Sequence, residues 1–162
     1  MSSITTIPKR RFFIAINQKS RTTNGGDSLT GDNTREINTV KKNNINGVSL
    51  ANNQITLVPG DYLVRASAGA HRPDRHQLRL KNITLSRTEV SGLNAFSNDN
   101  ENETGVALLN GTFSINQTCV FKLIHAIQKS RTVIGLGVDL DSEDLVNAEN
   151  SVFCQISIEK IG

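Results

Sequence analysis

A Pro-Gly pair, Pro59-Gly60, leads straight into Asp61-Tyr62-Leu63-Val64-Arg65-Ala66-Ser67-Ala68, where side chains alternate between two faces. No other segment constrains the chain as much. Proline presets the first central position of a tight turn, and glycine supplies the positive φ that a type II turn requires at the second. Ile55-Thr56-Leu57-Val58 and the strand from Tyr62 are therefore expected to pair as an antiparallel hairpin.

The same period-two reading extends along most of the chain. Residues 10–18 read as a first strand, with Phe12, Ile14 and Ile16 on one face and Phe13, Ala15 and Asn17 on the other. Short strands are expected at residues 36–40 and 48–50. Residues 77–81 alternate strictly, with Leu78 and Leu80 inward and Gln77, Arg79 and Lys81 outward. Further apolar runs at 104–113, 119–127, 133–138 and 152–161 bring the expectation to about eight to ten strands. Residues 94–103 are expected to form a mobile surface loop. No stretch has an amphipathic helical period and no fixed-length repeat occurs, so the fold class is all-β: a sandwich or barrel of short antiparallel strands.

At 162 residues the chain is one domain long, read here as 1–162 with residues 1–9 a flexible N-terminal segment. Net charge is +3, and the Lys and Arg residues are scattered rather than clustered, so nucleic acid is not expected as a partner. No apolar run reaches the roughly 20 residues of a membrane span, and none follows a basic start as in a signal peptide. Cys119 and Cys154 sit in apolar segments without metal-ligand spacing. Two buried thiols are favoured over a bridge, and zinc or thiol redox chemistry has little support. Four Asn-x-Thr tripeptides, at Asn82, Asn102, Asn110 and Asn116, are read as chance matches in a chain rich in both residues.

The order of features resembles the C1q and tumour necrosis factor jelly-roll family over nearly the whole chain. Carrying the resemblance are the aromatic first strand near Phe13, Gly60-Asp61-Tyr62 with its alternating strand, the polar strand through Arg75-His76-Gln77-Leu78-Arg79-Leu80, Gly135-Leu136-Gly137-Val138 and the closing strand. The run from Tyr62 to Leu80 looks like the C1q-like domains of phage tail and other virion proteins. The resemblance implies a jelly-roll sandwich of two antiparallel sheets and assembly as a homotrimer. It also implies a non-enzymatic attachment or decoration head on a virion, with other virion proteins and a host-surface glycan or protein as partners. A secreted or surface carbohydrate-binding or cytokine-like module, extracellular rather than on a particle, is the alternative. A metal-dependent jelly-roll enzyme is a third reading, and it would need converging histidines or paired carboxylates. The chain departs from animal C1q heads in lacking a Gly-X-Y stalk and in ending on Ile156-Ser157-Ile158-Glu159-Lys160-Ile161.

Several strands are apolar on both faces, which a solitary sandwich does not need. Phe13, Tyr62 and Phe153 are the residues expected to sit between subunits. The candidate ligand-binding loop is His71, Arg72, Asp74, Arg75 and His76, whose guanidinium groups suit carboxylates and sulfated or phosphorylated sugars. His125, mid-strand and without a nucleophile nearby in sequence, is read as a hydrogen-bonded core histidine. The acidic run Asp139-Leu140-Asp141-Ser142-Glu143-Asp144 would suit calcium but lacks EF-hand spacing, so no cofactor is expected.

Overall fold

The computed structural model describes residues 9–139 and 150–162. Twelve strands among them form two antiparallel sheets. One sheet has the order β10 (Thr104–Ile115), β6 (Gly60–His71), β12 (Asn150–Lys160), β1 (Arg11–Ser20), β3 (Thr39–Asn43). The other runs β4 (Ser49–Ala51), β5 (Gln54–Leu57), β11 (Cys119–Ile127), β7 (Asp74–Asn82), β8 (Arg87–Ser91), with β2 (Gly31–Thr34) also on β11 and β9 (Ala95–Ser97) also on β7. Successive strands β5, β6 and β7, and again β10, β11 and β12, change sheet at each step. That alternation is a jelly roll.

The Pro59-Gly60 turn is consequently a corner between sheets and not a hairpin. β5 pairs with β4 and β11, whereas β6 pairs with β10 and β12. The corner still depends on the residues that announced it. Gly60 has φ 151°, and a Cβ there would meet the Lys160 side chain at 2.5 Å. The Tyr62 hydroxyl donates to the Val58 carbonyl at 2.7 Å, and Lys160 Nζ donates to the Pro59 carbonyl at 2.6 Å while lying over the Tyr62 ring. These contacts clamp the C-terminal strand onto the corner.

Alternation fills the space between the sheets. Tyr62, Val64, Ala66 and Ala68 of β6 point inward, as do Ala107, Leu109 and Phe113 of β10, Ile156 and Ile158 of β12, Leu78 and Leu80 of β7, and Phe121 and Leu123 of β11. Tyr62 stacks on Phe113 at 5.5 Å, and Phe113 meets Phe121 of the opposite sheet at 5.4 Å. These rings tie the two sheets together. Cys119 and Cys154 are free and buried.

Three expectations on strand placement change. Residues 133–138 are not a strand: their backbone bonds run to the segment 25–28, with Gly25 N to Gly137 O at 2.8 Å, Gly26 N to Val133 O at 3.0 Å and Leu136 N to Gly26 O at 2.9 Å. Gly25 is required there, because a Cβ would lie 2.5 Å from the Leu136 backbone. The early strand expected at 36–40 begins at Thr39 and continues to Asn43. The 94–103 segment contributes a strand, β9, before becoming a loop.

Candidate functional site

The segment singled out as a ligand loop is the corner joining β6 to β7, and most of it is occupied with holding itself together. Arg72 and Asp74 adopt positive φ of 52° and 56° on either side of Pro73. This uncommon geometry is fastened at several points. Arg72 Nε donates to the Asp99 carbonyl at 2.6 Å, and Arg72 N to the Glu103 carbonyl at 2.9 Å. Asp99 N donates to Asp74 Oδ1 at 3.0 Å, while Arg131 Nη2 donates to Asp99 Oδ2 at 3.3 Å. The 98–103 loop is therefore stapled to the corner.

Both histidines of the loop are inside. His71 Nδ1 lies 3.1 Å from Thr104 Oγ1, and burial together with the charges of Arg72 and Arg131 pushes its pKa below the ordinary value. His76 Nδ1 lies 2.8 Å from Nε2 of His125, one ring donating and the other accepting. Burial pushes both pKa values down, that of His125 to about 2, with the charge of Arg35 and the neighbouring His76 adding to the effect. His125 is thus a neutral core histidine, consistent with its sequence context. Asp139 N donates to Asn24 Oδ1; the rest of the acidic run, residues 140–144, lies outside the described residues. Among the described residues no group of three or more His, Cys, Asp or Glu side chains is arranged to hold a metal ion.

Arg35 had no distinguishing sequence signal, and among the described residues it is the largest fully buried side chain. Its guanidinium donates to the carbonyls of Gly69 at 3.1 Å, Leu136 at 3.1 Å and Phe153 at 2.7 Å. One side chain thereby joins β6, the 131–137 segment and β12. Its fork geometry suits three carbonyls at once. Burial pushes the Cys154 thiol beside it up, against the pull of Arg35.

Of the five loop residues, Arg75 alone is exposed, and it opens onto a groove of about 740 Å³ over the outer face of the seven-stranded sheet. Gln77 and Arg79 form the floor, with Gly31 and Asp32 on one side and Asn94 and Phe96 on the other. Gln77 Nε2 donates to Asn94 Oδ1 at 2.8 Å, and Arg79 Nε donates to Gln77 Oε1 at 2.9 Å. The groove thus presents an ordered row of planar polar groups beside one exposed aromatic ring.

The opposite face of the molecule, the outer side of the five-stranded sheet, is different in character. Pairing aligns Leu108, Ser67, Gln155 and Ile16 in one row, Asn110, Arg65, Ser157 and Ile14 in the next, and Thr112, Leu63, Glu159 and Phe12 in a third. Val106, Leu108 and Val152 are each at least half exposed, at 58%, 50% and 53%. Phe13 and Tyr62, expected between subunits, instead belong to the core of one protomer. Phe153 is covered as well: a Cβ on Gly137 would overlap its ring. The correction in each case is one residue. Because side chains alternate, it is the neighbours Phe12 and Leu63 that face outward, and in β12 a bulge that skips Phe153 sets Val152 opposite Gln18 and turns it outward.

No family model matches the sequence, and no curated protein matches it. Solved structures do. Murine APRIL at pH 5.0 superposes with a TM-score of 0.60 at 10% identity, covering 94% of this chain and 100% of that one. The globular domain of zebrafish complement 1qA protein gives 0.57 at 13% identity, covering 95% and 98%. The fold is the C1q and tumour necrosis factor jelly roll. At these identities the likeness is one of fold alone. The C1q/TNF-like sandwich spans nearly the full chain, and no helix among the described residues is long and apolar enough to cross a membrane.

Proposed function

We propose that this protein is a non-enzymatic, extracellular recognition module that works as a homotrimer, with sister copies covering the outer face of the five-stranded sheet. A single observation carries the proposal: that face holds Phe12, Ile14, Leu63, Val106, Leu108 and Val152, half-buried or exposed, where an isolated sandwich would present polar side chains to water. Completing the burial of half-exposed valines and leucines contributes roughly 1 to 1.5 kcal/mol each. Repeated around a cyclic interface, that is enough to favour assembly. The polar groups interspersed among them, Ser67, Gln155, Ser157 and Asn110, would supply hydrogen bonds that fix the register between copies.

Trimeric order is what the family resemblance implies, and the consequence for function is multivalency. Three identical weak sites on one rigid head gain avidity from their fixed spacing. A head mounted on a virion would use the same sheet in the same way.

Hydroxyl-radical footprinting tests the covered face. Leu108, Val106 and Val152 should be protected in the intact protein, while Leu93 and Phe96, which are at least as exposed in the protomer at 70% and 66%, should oxidise readily. Equal oxidation of both groups would contradict the proposal.

A further inference from the structure

We propose that the outer face of the seven-stranded sheet binds a linear acidic polysaccharide, one bearing sulfate or carboxylate groups, laid along β7. The proposal names a ligand class for the recognition module described above and rests on that reading only for its avidity. Period-two alternation sends Arg75, Gln77, Arg79 and Lys81 to the outer face of β7. On β11 the same face holds Lys122, and the pairing register sets Lys122 directly opposite Lys81. Two like charges directly across an antiparallel pair destabilise a sheet. Among the described residues neither lysine has an ion pair or a side-chain hydrogen bond, and neither does the guanidinium of Arg75. Arg79 alone reaches a carboxylate, Asp32 Oδ1, at 3.5 Å.

Four cations against one carboxylate thus share one side of a chain whose whole net charge is +3. They extend for about 20 Å along the strand, with cations two to four residues, or about 7 to 13 Å, apart. A bound polyanion would neutralise them in series. Arginine matches sulfate or carboxylate oxygens with two parallel donors, and the lysines act as point charges. Beside them, the amides of Gln77 and Asn94 line the groove where hydroxyl groups of a sugar would lie, with the Phe96 ring at the margin. A single-stranded nucleic acid would call for a series of stacking rings, and this face offers one.

The test is direct binding of the intact protein to a heparin oligosaccharide, a polyuronate, neutral dextran and a single-stranded DNA of matched charge. Measurements are made at about 0.15 M salt, where exposed charges are screened beyond about 8 Å. Two double variants remove the stripe, Arg75→Gln with Arg79→Gln and Lys81→Gln with Lys122→Gln. A third, Lys41→Gln with Lys42→Gln, removes the same charge from exposed positions on β3 of the other sheet.

The expected result is binding to the sulfated or carboxylated chain, weakened about tenfold or more by either stripe variant and less than about twofold by the β3 variant. Lys81→Gln with Lys122→Gln should also melt at a higher temperature than the parent, since it removes a like-charge pair. Failure of both acidic glycans to bind would overturn the proposal. So would equal losses in the stripe and β3 variants, which would reduce the effect to net charge, or tighter binding of the DNA than of either glycan. The oligomeric state, measured on the same samples, separates the two readings: a monomer whose stripe variants still lose glycan would overturn the trimer and leave the site standing.

Discussion

His76 of β7 and His125 of β11 meet across 2.8 Å inside the sandwich, with Arg35 close enough to disfavour any further charge on His125. The arrangement makes the native state intolerant of protonation. The pKa of His125 is held at about 2, below its ordinary value, so between that value and about 6.5 the unfolded chain takes up a proton that the folded chain refuses. Stability is therefore fully present above about pH 6.5 and falls as pH drops, by up to about 1.4 kcal/mol per pH unit from this residue. His71 and His76, whose pKa values are also lowered, act in the same direction. Urea denaturation across pH 4 to 7.5 should show the midpoint falling steadily below about pH 6.5. A midpoint unchanged to pH 4.5 would contradict the buried neutral pair.

Arg35→Met should destabilise the fold by about 3 kcal/mol or more, because three carbonyls drawn from different segments lose their donor. Arg35→Lys should recover only part of the loss, since one ammonium lacks the planar fork. Chemical denaturation measures both effects.

How far the fold could be seen in advance depended on where the information lay. Alternation in β6, β7 and the two apolar sides of β1 was visible residue by residue, because each inward position is an apolar side chain spaced by two. Pairing partners were not visible. The Pro59-Gly60 corner looks like a hairpin locally, and only the long-range pairing of β6 with β12 and β10 sends the chain to the other sheet. β2, Gly31-Asp32-Asn33-Thr34, carries no apolar residue, so its strand character comes entirely from backbone bonding to β11.

The candidate site was half legible for the same reason. A basic, histidine-rich corner was recognisable, yet which of its side chains turn inward depends on the strand phase after Pro73. Arg35, in the polar context Asn33-Thr34-Arg35-Glu36, reads as a surface residue; its burial follows from the carbonyls that three distant segments bring to it. The facing of Lys81 and Lys122 exists only once β7 and β11 are in register.

The corner that clamps the C-terminal strand makes a separate prediction. Tyr62→Phe removes the hydroxyl donated to the Val58 carbonyl and should cost about 1 kcal/mol in thermal or chemical denaturation. Gly60→Ala should cost more than Tyr62→Phe, since it combines a φ of 151° with a close approach to Lys160 and the Gly162 carbonyl. The reverse order would show that the corner is held by something other than these contacts.

Leu108 is half exposed in a row with Ser67, Gln155 and Ile16, on the face assigned to sister copies. Leu108→Asp should convert the assembly to folded monomers without lowering the stability of the protomer by more than about 0.5 kcal/mol, the usual range for a surface change. Gel filtration with circular dichroism reads both. A variant that elutes with the parent would remove Leu108 from any interface.

The proposed covering of the outer face of the five-stranded sheet by sister copies is tested most directly by sedimentation equilibrium of the unmodified protein at micromolar concentration. The account predicts a single species at three times the 17.7 kDa chain mass, unchanged on dilution through the range. A species at 17.7 kDa throughout would contradict it.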